Sequence, residues 1–216
     1  MSTKSKIAVI GLGNIGKIVA TNLIKGNRPV IVASRKMEEA KAFAQKSGSL
    51  ATALEIPAAI READIIIMAV WYDSIKELLG KFSVELNGKI IIDPSNPIAP
   101  DGNGGFKKII DEKESAGEVL AGLLPKGTKF VKALGTLSAA SLSGASWKKS
   151  DAAVLFYASD DISVNGKIEE LIKDSGFEPA RVGGIDQSIR IEVFGDLHEF
   201  GALGKTITLA ESEKKI

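Results

Sequence analysis

Short apolar runs alternate with amphipathic stretches along almost the whole chain. Residues 6–10, 30–33, 65–70 and 89–93 read as strands. Between them, 13–25, 37–46, 55–62 and 74–79 carry helical spacing, and 49–51 is at most a short third strand. The run 65–70 does not alternate polar with apolar positions, which predicts a strand buried on both faces. Punctuation agrees: Gly26 and Asn27 stop the first helix ahead of Pro29, Gly48 ends the second, and Pro57 sits in the first turn of the third, where its missing N–H costs little. Further on, 130–134, 152–158 and 178–182 read as strands. Ser115 with Glu118 is a capping-box pattern opening a helix to about Leu124. Residues 167–174 form a helix closed by Gly176, and Asp186 caps a long final helix reaching about Leu209. Strands alternating with helices predict βαβ units, hence an α/β protein with a doubly wound, mostly parallel sheet. Residues 93–114 are irregular, with Pro94, Pro97, Pro100 and the run Asp101-Gly-Asn-Gly-Gly105. A loop this long reads either as functional or as a surface excursion.

Charge narrows the partners. Lys plus Arg is 28 against 27 for Asp plus Glu, so no global field favours nucleic acid or an anionic membrane. The chain lacks cysteine, which excludes disulfides and thiolate chemistry, and its single histidine, His198, excludes a multi-histidine zinc site. The apolar run 65–72 falls far short of the roughly 20 residues that span a bilayer. The first residues carry no apolar leader core. A cytoplasmic protein is expected, and the missing cysteines agree with that compartment.

Gly11-Leu12-Gly13-Asn14-Ile15-Gly16 matches G-x-G-x-x-G. The pattern alone is weak, but here it follows a strand and opens a helix in the first βαβ unit, the context that gives it meaning. Gly11 allows the tight turn, Gly13 lets backbone approach a diphosphate, and Gly16 lets helix and strand pack closely. Free N–H groups at the helix start then face the phosphates. A Rossmann-like dinucleotide site follows. About twenty residues on, where an NAD-preferring site carries an acid, the chain reads Ala33-Ser34-Arg35-Lys36, with no carboxylate until Glu38. A hydroxyl, a guanidinium and an ammonium attract the adenosine 2′-phosphate that an acid would repel. The expected cofactor is NADP(H); the plainer alternative for Arg35 and Lys36 is a solvated helix start.

Ligands of open α/β sheets lie at the carboxyl ends of the strands. Those ends read Ala69-Val70-Trp71-Tyr72, Asp93-Pro94-Ser95-Asn96-Pro97 and Leu134-Gly135-Thr136-Leu137-Ser138-Ala139-Ala140. Thr136, Ser138 and nearby N–H groups are candidates for the nicotinamide carboxamide, and Trp71 or Tyr72 for shielding the ring. Val70, Trp71 and Asn96 count among the cofactor-contacting positions; Trp71 and Tyr72 read equally as packing at a strand end, and Ser95 and Asn96 equally as turn chemistry between prolines.

These segments, with Ala63-Asp-Ile-Ile-Ile67 and above all Val131-Lys-Ala-Leu-Gly-Thr-Leu-Ser-Ala-Ala140, resemble the coenzyme F-420-dependent NADP oxidoreductases. The same core is similar to the cytosolic domain of six-transmembrane metalloreductases. The resemblance implies hydride transfer between NADPH and a stacked deazaflavin or flavin (F-420, FMN or FAD). By position it implies Leu12, Gly13, Asn14 and Ile15 at the diphosphate and Ser34 and Arg35 at the 2′-phosphate. Ala69 would lie near the nicotinamide ribose and the Ala139 backbone at the carboxamide. Two positions depart from archaeal members: Gly135 replaces a His before the Thr, and Trp71 replaces a Pro after the fourth strand. Both border the place of the second ring.

The resulting expectation is an NADP-binding Rossmann-like domain over 1–183, with a helical segment, 184–216, closing over the cleft of a homodimer. Gly195, Gly201 and Gly204 in the final helix would then serve close packing, and His198 would be structural unless it tunes a ring. The competing readings are a reductase of a small carbonyl or imine substrate and a non-catalytic NADPH-binding sensor.

Overall fold

The structure, a computed structural model, describes residues 4–148 and 150–216. Its first half is a run of βα units: β1 (Ile7–Ile10), α1 (Asn14–Lys25), β2 (Val30–Ala33), α2 (Met37–Ser47), β3 (Ala51–Ala53), α3 (Ile56–Glu62), β4 (Ile65–Met68), α4 (Tyr72–Lys81) and β5 (Ile90–Asp93). The second half holds β6 (Ile98–Pro100), β7 (Phe106–Lys108), α5 (Ala116–Gly122), β8 (Lys129–Ala133), α6 (Ala139–Gly144), β9 (Val154–Ala158), α7 (Asn165–Asp174), β10 (Glu178–Gly183), α8 (Ser188–Ile191) and α9 (Leu209–Ser212).

Eight strands form one sheet in the order β10-β9-β8-β5-β4-β1-β2-β3. From β3 to β8 every pairing is parallel. Neighbouring side chains on each strand enter opposite cores. Ile7, Val9, Ile65, Ile67, Ile90 and Ile92 pack with Val19 and Leu23 of α1 and with α7. Ala8, Ile10, Ile66, Met68 and Ile91 pack on the other face with Ile60 of α3, Ile75 and Leu79 of α4 and Leu120 of α5. Helices on both faces therefore explain strands with no polar alternation, each buried aliphatic side chain contributing about 1.5–3 kcal/mol.

The mostly parallel sheet expected from sequence is present, with differences in its second half. β9 runs antiparallel to β8, and β10 runs parallel to β9. The 93–114 segment is not structureless, since β6 and β7 pair as a small antiparallel hairpin. Residues 48–50 make a single 3₁₀ turn, and the short third strand begins at Ala51.

The long final helix is the main correction. After α8 the chain leaves helical geometry at Glu192, whose side chain is drawn into the core. It then folds back through turns, with Leu197 N–H donating to Arg190 O and Ala202 N–H to Gly195 O. Phe194 has φ 75° and Gly204 φ 64°, conformations no helix contains. A Cβ on Gly195 or Gly201 would overlap backbone carbonyl oxygens of this fold-back. These glycines serve tight turns and not helix packing. Ile191, Leu197 and Ile207 join the core beneath, and Val154 N–H donates to Ile207 O.

Candidate functional site

Because β1, β2, β4, β5 and β8 are parallel, their carboxyl ends share one edge of the sheet. The turn after β1 lies beside the end of β4, where the strand order reverses, the usual ligand position in such sheets. Gly11 has φ 98°, donates its N–H to Ala33 O at 2.8 Å, and is so closely packed that a Cβ would collide with Ala69 O and sit 2.6 Å from Val70 Cγ1. A Cβ on Gly16 would overlap Gly11 O and lie 3.0 Å from Ala69 Cβ. Gly13 is different. It is exposed, and a Cβ there would meet nothing within 4 Å. The cradle it leaves opens directly onto the start of α1, where no side chain caps the helix and no acid lies in the first turn. Such a helix start attracts an anion. Leu12 is buried under the turn, Asn14 is exposed at its mouth, and Ile15 packs against the core.

Ser34, Arg35 and Lys36 follow β2 on the same edge. Arg35 is exposed and makes no ion pair among the described residues. Ser34 is buried; its hydroxyl accepts from Lys36 N–H and donates to Glu39 Oε2, both at 3.3 Å. Lys36 Nζ lies 3.6 Å from Glu39 Oε1. Spacing along the sequence missed Glu39, which the first turn of α2 swings back beside the serine.

At the β4 end, Ala69 and Val70 are half-buried. Trp71 is 64% exposed whereas Tyr72 is 3% exposed. The tyrosine is thus a core residue, with Lys76 Nζ 4.8 Å above its ring. The tryptophan is open at the cleft side of α4. Asn96 joins three segments: its Nδ2 donates to Gly135 O at 3.1 Å, and its Oδ1 accepts from Val193 N–H at 2.7 Å. Gly135 can bear no side chain, because a Cβ would overlap Pro94 O.

Thr136 is buried, its hydroxyl without a partner among the described residues, and its carbonyl accepts from Glu199 N–H. Ser138 caps α6 by accepting from Ser141 N–H, and Ala139 is the first helical residue. Glu199 reaches the same helix start, accepting from Ser138 N–H at 2.6 Å and from the Ser141 hydroxyl. Burial would raise its carboxyl, but these donors outweigh burial and hold it below the usual range.

His198 is buried beneath this loop. Its Nδ1 accepts from Phe200 N–H at 2.9 Å, which assigns the proton to Nε2, the nitrogen 3.0 Å from Gly135 O. Burial pushes the imidazole down to about 4, so it is neutral at pH 7. Both ring nitrogens are occupied by backbone.

Below the cleft floor lies a buried charge cluster that sequence reasoning did not foresee. Lys132 Nζ is 2.6 Å from Asp93 Oδ2, also donates to Ser95 O, and is 3.6 Å from Glu192 Oε1. Glu192 in turn accepts from Ala116 and Gly117 N–H. Burial alone would lower the Lys132 ammonium; Asp93 and Glu192 outweigh it and hold it above its ordinary value. A lysine inside the otherwise apolar run Phe130-Val-Lys-Ala-Leu134 was the available signal, since a charge in such a strand needs a buried partner.

Fold, open Gly13 cradle and switch-point position together define a dinucleotide-binding α/β protein. Residues 6–97 match the sequence profile described as NADP oxidoreductase, coenzyme F420-dependent, and this part of the chain is similar to that family. The F420-dependent NADP reductase of Methanothermobacter marburgensis is 31% identical over 147 residues, covering 63% of this chain and 66% of that protein. Rat metalloreductase STEAP3 is 28% identical over 187 residues, 87% of this chain; the chain spans only 36% of that longer protein. Among solved structures, a Sinorhizobium meliloti protein superposes with a TM-score of 0.83 at 29% identity, over 94% of this chain and 95% of that one.

Proposed function

We propose that the chain binds NADP(H) across the β1–β4 edge and passes a hydride between it and a planar deazaflavin or flavin. The observation that carries this reading is the pairing of the open Gly13 cradle with the exposed, unpaired Arg35 beside buried Ser34. Gly11 and Gly16 fix the turn, and the α1 N–H groups with Leu12, Asn14 and Ile15 would hold the diphosphate. Ser34, Arg35 and Lys36 would take the 2′-phosphate. Ala69 and Val70 would line the nicotinamide ribose, and Thr136, with the backbone at Ala139, the carboxamide. Asn96 acts by tying the β5, β8 and 193 segments together.

The bound nicotinamide supplies the hydride and its electron pair. The chain's own part is proximity, orientation and exclusion of water. Trp71, exposed beside Val70, is suited to lie against the acceptor ring. Exchange between two such rings needs no dedicated acid. That fits a cleft whose histidine has both nitrogens occupied by backbone, and it argues against the carbonyl or imine reductase reading, which needs a proton donor. A homodimer in the cytoplasm completes the proposal. The absence of cysteine agrees with that compartment, and no helix among the described residues is long and apolar enough to cross a membrane.

The test is NADPH and NADH oxidation with FMN, FAD, riboflavin and F-420 offered in parallel, with sedimentation velocity for the oligomer. Turnover with one acceptor and NADPH, weakened at least tenfold in KM for NADPH by Arg35→Ala, is expected. Tight NADPH binding with no turnover would favour the sensor reading instead.

A further inference from the structure

The 2′-phosphate pocket already holds an anion of the chain's own. Glu39 is the third residue of α2, and the first helical turn brings its carboxylate back over the end of β2. One oxygen accepts a hydrogen bond from the buried Ser34 hydroxyl at 3.3 Å, and the other faces Lys36 Nζ at 3.6 Å. Two of the three groups proposed to meet the 2′-phosphate are thereby occupied, and Arg35 alone is left unpaired among the described residues. The neighbouring Glu38 is not part of this arrangement, since it pairs outward with Lys41 at 2.9 Å.

We propose that Glu39 is a specificity-determining residue, an internal counter-anion that lowers discrimination between NADP(H) and NAD(H). The inference rests on the NADP(H) reading given above. A 2′-phosphate must displace the carboxylate from Ser34 and Lys36 or bind against its repulsion. A ribose 2′-hydroxyl instead can donate to the same carboxylate, the role an acid at the end of β2 plays in NAD-preferring sites. The chain thus carries both kinds of determinant: Arg35 favours the phosphate and Glu39 tolerates the hydroxyl. Because the Glu39–Lys36 pair is partly solvated, its influence is graded and not absolute.

The experiment is calorimetric titration of 2′,5′-ADP and of 5′-AMP into the wild type, Glu39→Gln, and Glu39→Gln with Arg35→Ala. Glutamine keeps the size and hydrogen-bonding capacity of the side chain and removes its charge. The expected result is that the ratio of 2′,5′-ADP to 5′-AMP affinity rises about tenfold in Glu39→Gln. The double variant should lose that gain. A purely structural cap would change both ligands alike and leave the ratio within twofold of wild type, which would overturn the inference while leaving NADP(H) preference intact. If the 2′-phosphate adds no affinity in the wild type or in Glu39→Gln, the NADP(H) reading fails and takes this inference with it.

Discussion

His198 makes folding stability depend on pH in a direction that its burial fixes. The residue is 1% exposed, and its imidazole is held down to about 4 against an ordinary 6.5. Burial is the main cause, and Lys132 adds to it. The hydrogen bond to Gly135 O and the nearby Glu199 carboxylate act the other way and do not offset it. Between pH 6.5 and about 4 the unfolded chain takes up a proton at this position and the folded chain does not. Stability is therefore fully present above pH 6.5 and is lost as pH falls toward 4. At about 1.4 kcal/mol per pH unit, the full gap is worth roughly 3 kcal/mol below pH 4 and about 2 kcal/mol at pH 5. The assay is urea unfolding of wild type and His198→Gln at several values from pH 5 to 7.5. The variant loses two backbone hydrogen bonds and is less stable throughout, so only the pH dependence of the difference matters. Wild type should lose about 2 kcal/mol more than the variant between pH 7.5 and 5. Curves that stay parallel to within about 0.5 kcal/mol, or an imidazole seen by NMR to titrate near 6.5, would refute the reasoning.

Other perturbations have equally definite outcomes. Gly16→Ala places a Cβ on Gly11 O; we expect about 1–3 kcal/mol of destabilisation and loss of NADPH binding, read by thermal shift with and without cofactor. Lys132→Met leaves the Asp93 and Glu192 carboxylates buried without their cation and should cost about 3–5 kcal/mol in urea unfolding. Adding Asp93→Asn to that variant should recover part of the loss, because one uncompensated charge is removed. Trp71→Ala removes an exposed side chain; stability should hold within about 0.5 kcal/mol, while KM for the flavin or deazaflavin acceptor rises and the NADPH dissociation constant stays fixed.

The features legible in the chain alone are those whose physics is local. Gly11, Gly13 and Gly16 lie within one turn, so their spacing already contains the strand–turn–helix geometry. The unalternating run at Ile65–Met68 states that both faces are covered, whatever covers them. Ser34, Arg35 and Lys36 are consecutive, and that none of the three is an acid is visible without coordinates. Glu39 was hidden only because a helical turn, not adjacency, returns it to Ser34. The run 152–158 announced a buried strand but not its direction, since an apolar run reads the same both ways. Direction came from where the chain packs after α6. The predicted final helix failed because helical spacing through Gly195, Gly201 and Gly204 is also compatible with a fold-back. Burial of Glu192 against Lys132, sixty positions earlier in the chain, decided between them. His198 and Asn96 reach Gly135 across 63 and 39 residues. Sequence order carries no information about such pairs; only closing the sheet and packing the carboxyl-terminal turns over its edge brings donor to acceptor. The chain by itself thus determined the nucleotide turn and the two-faced sheet, and tertiary packing determined how the cleft floor is charged, capped and held.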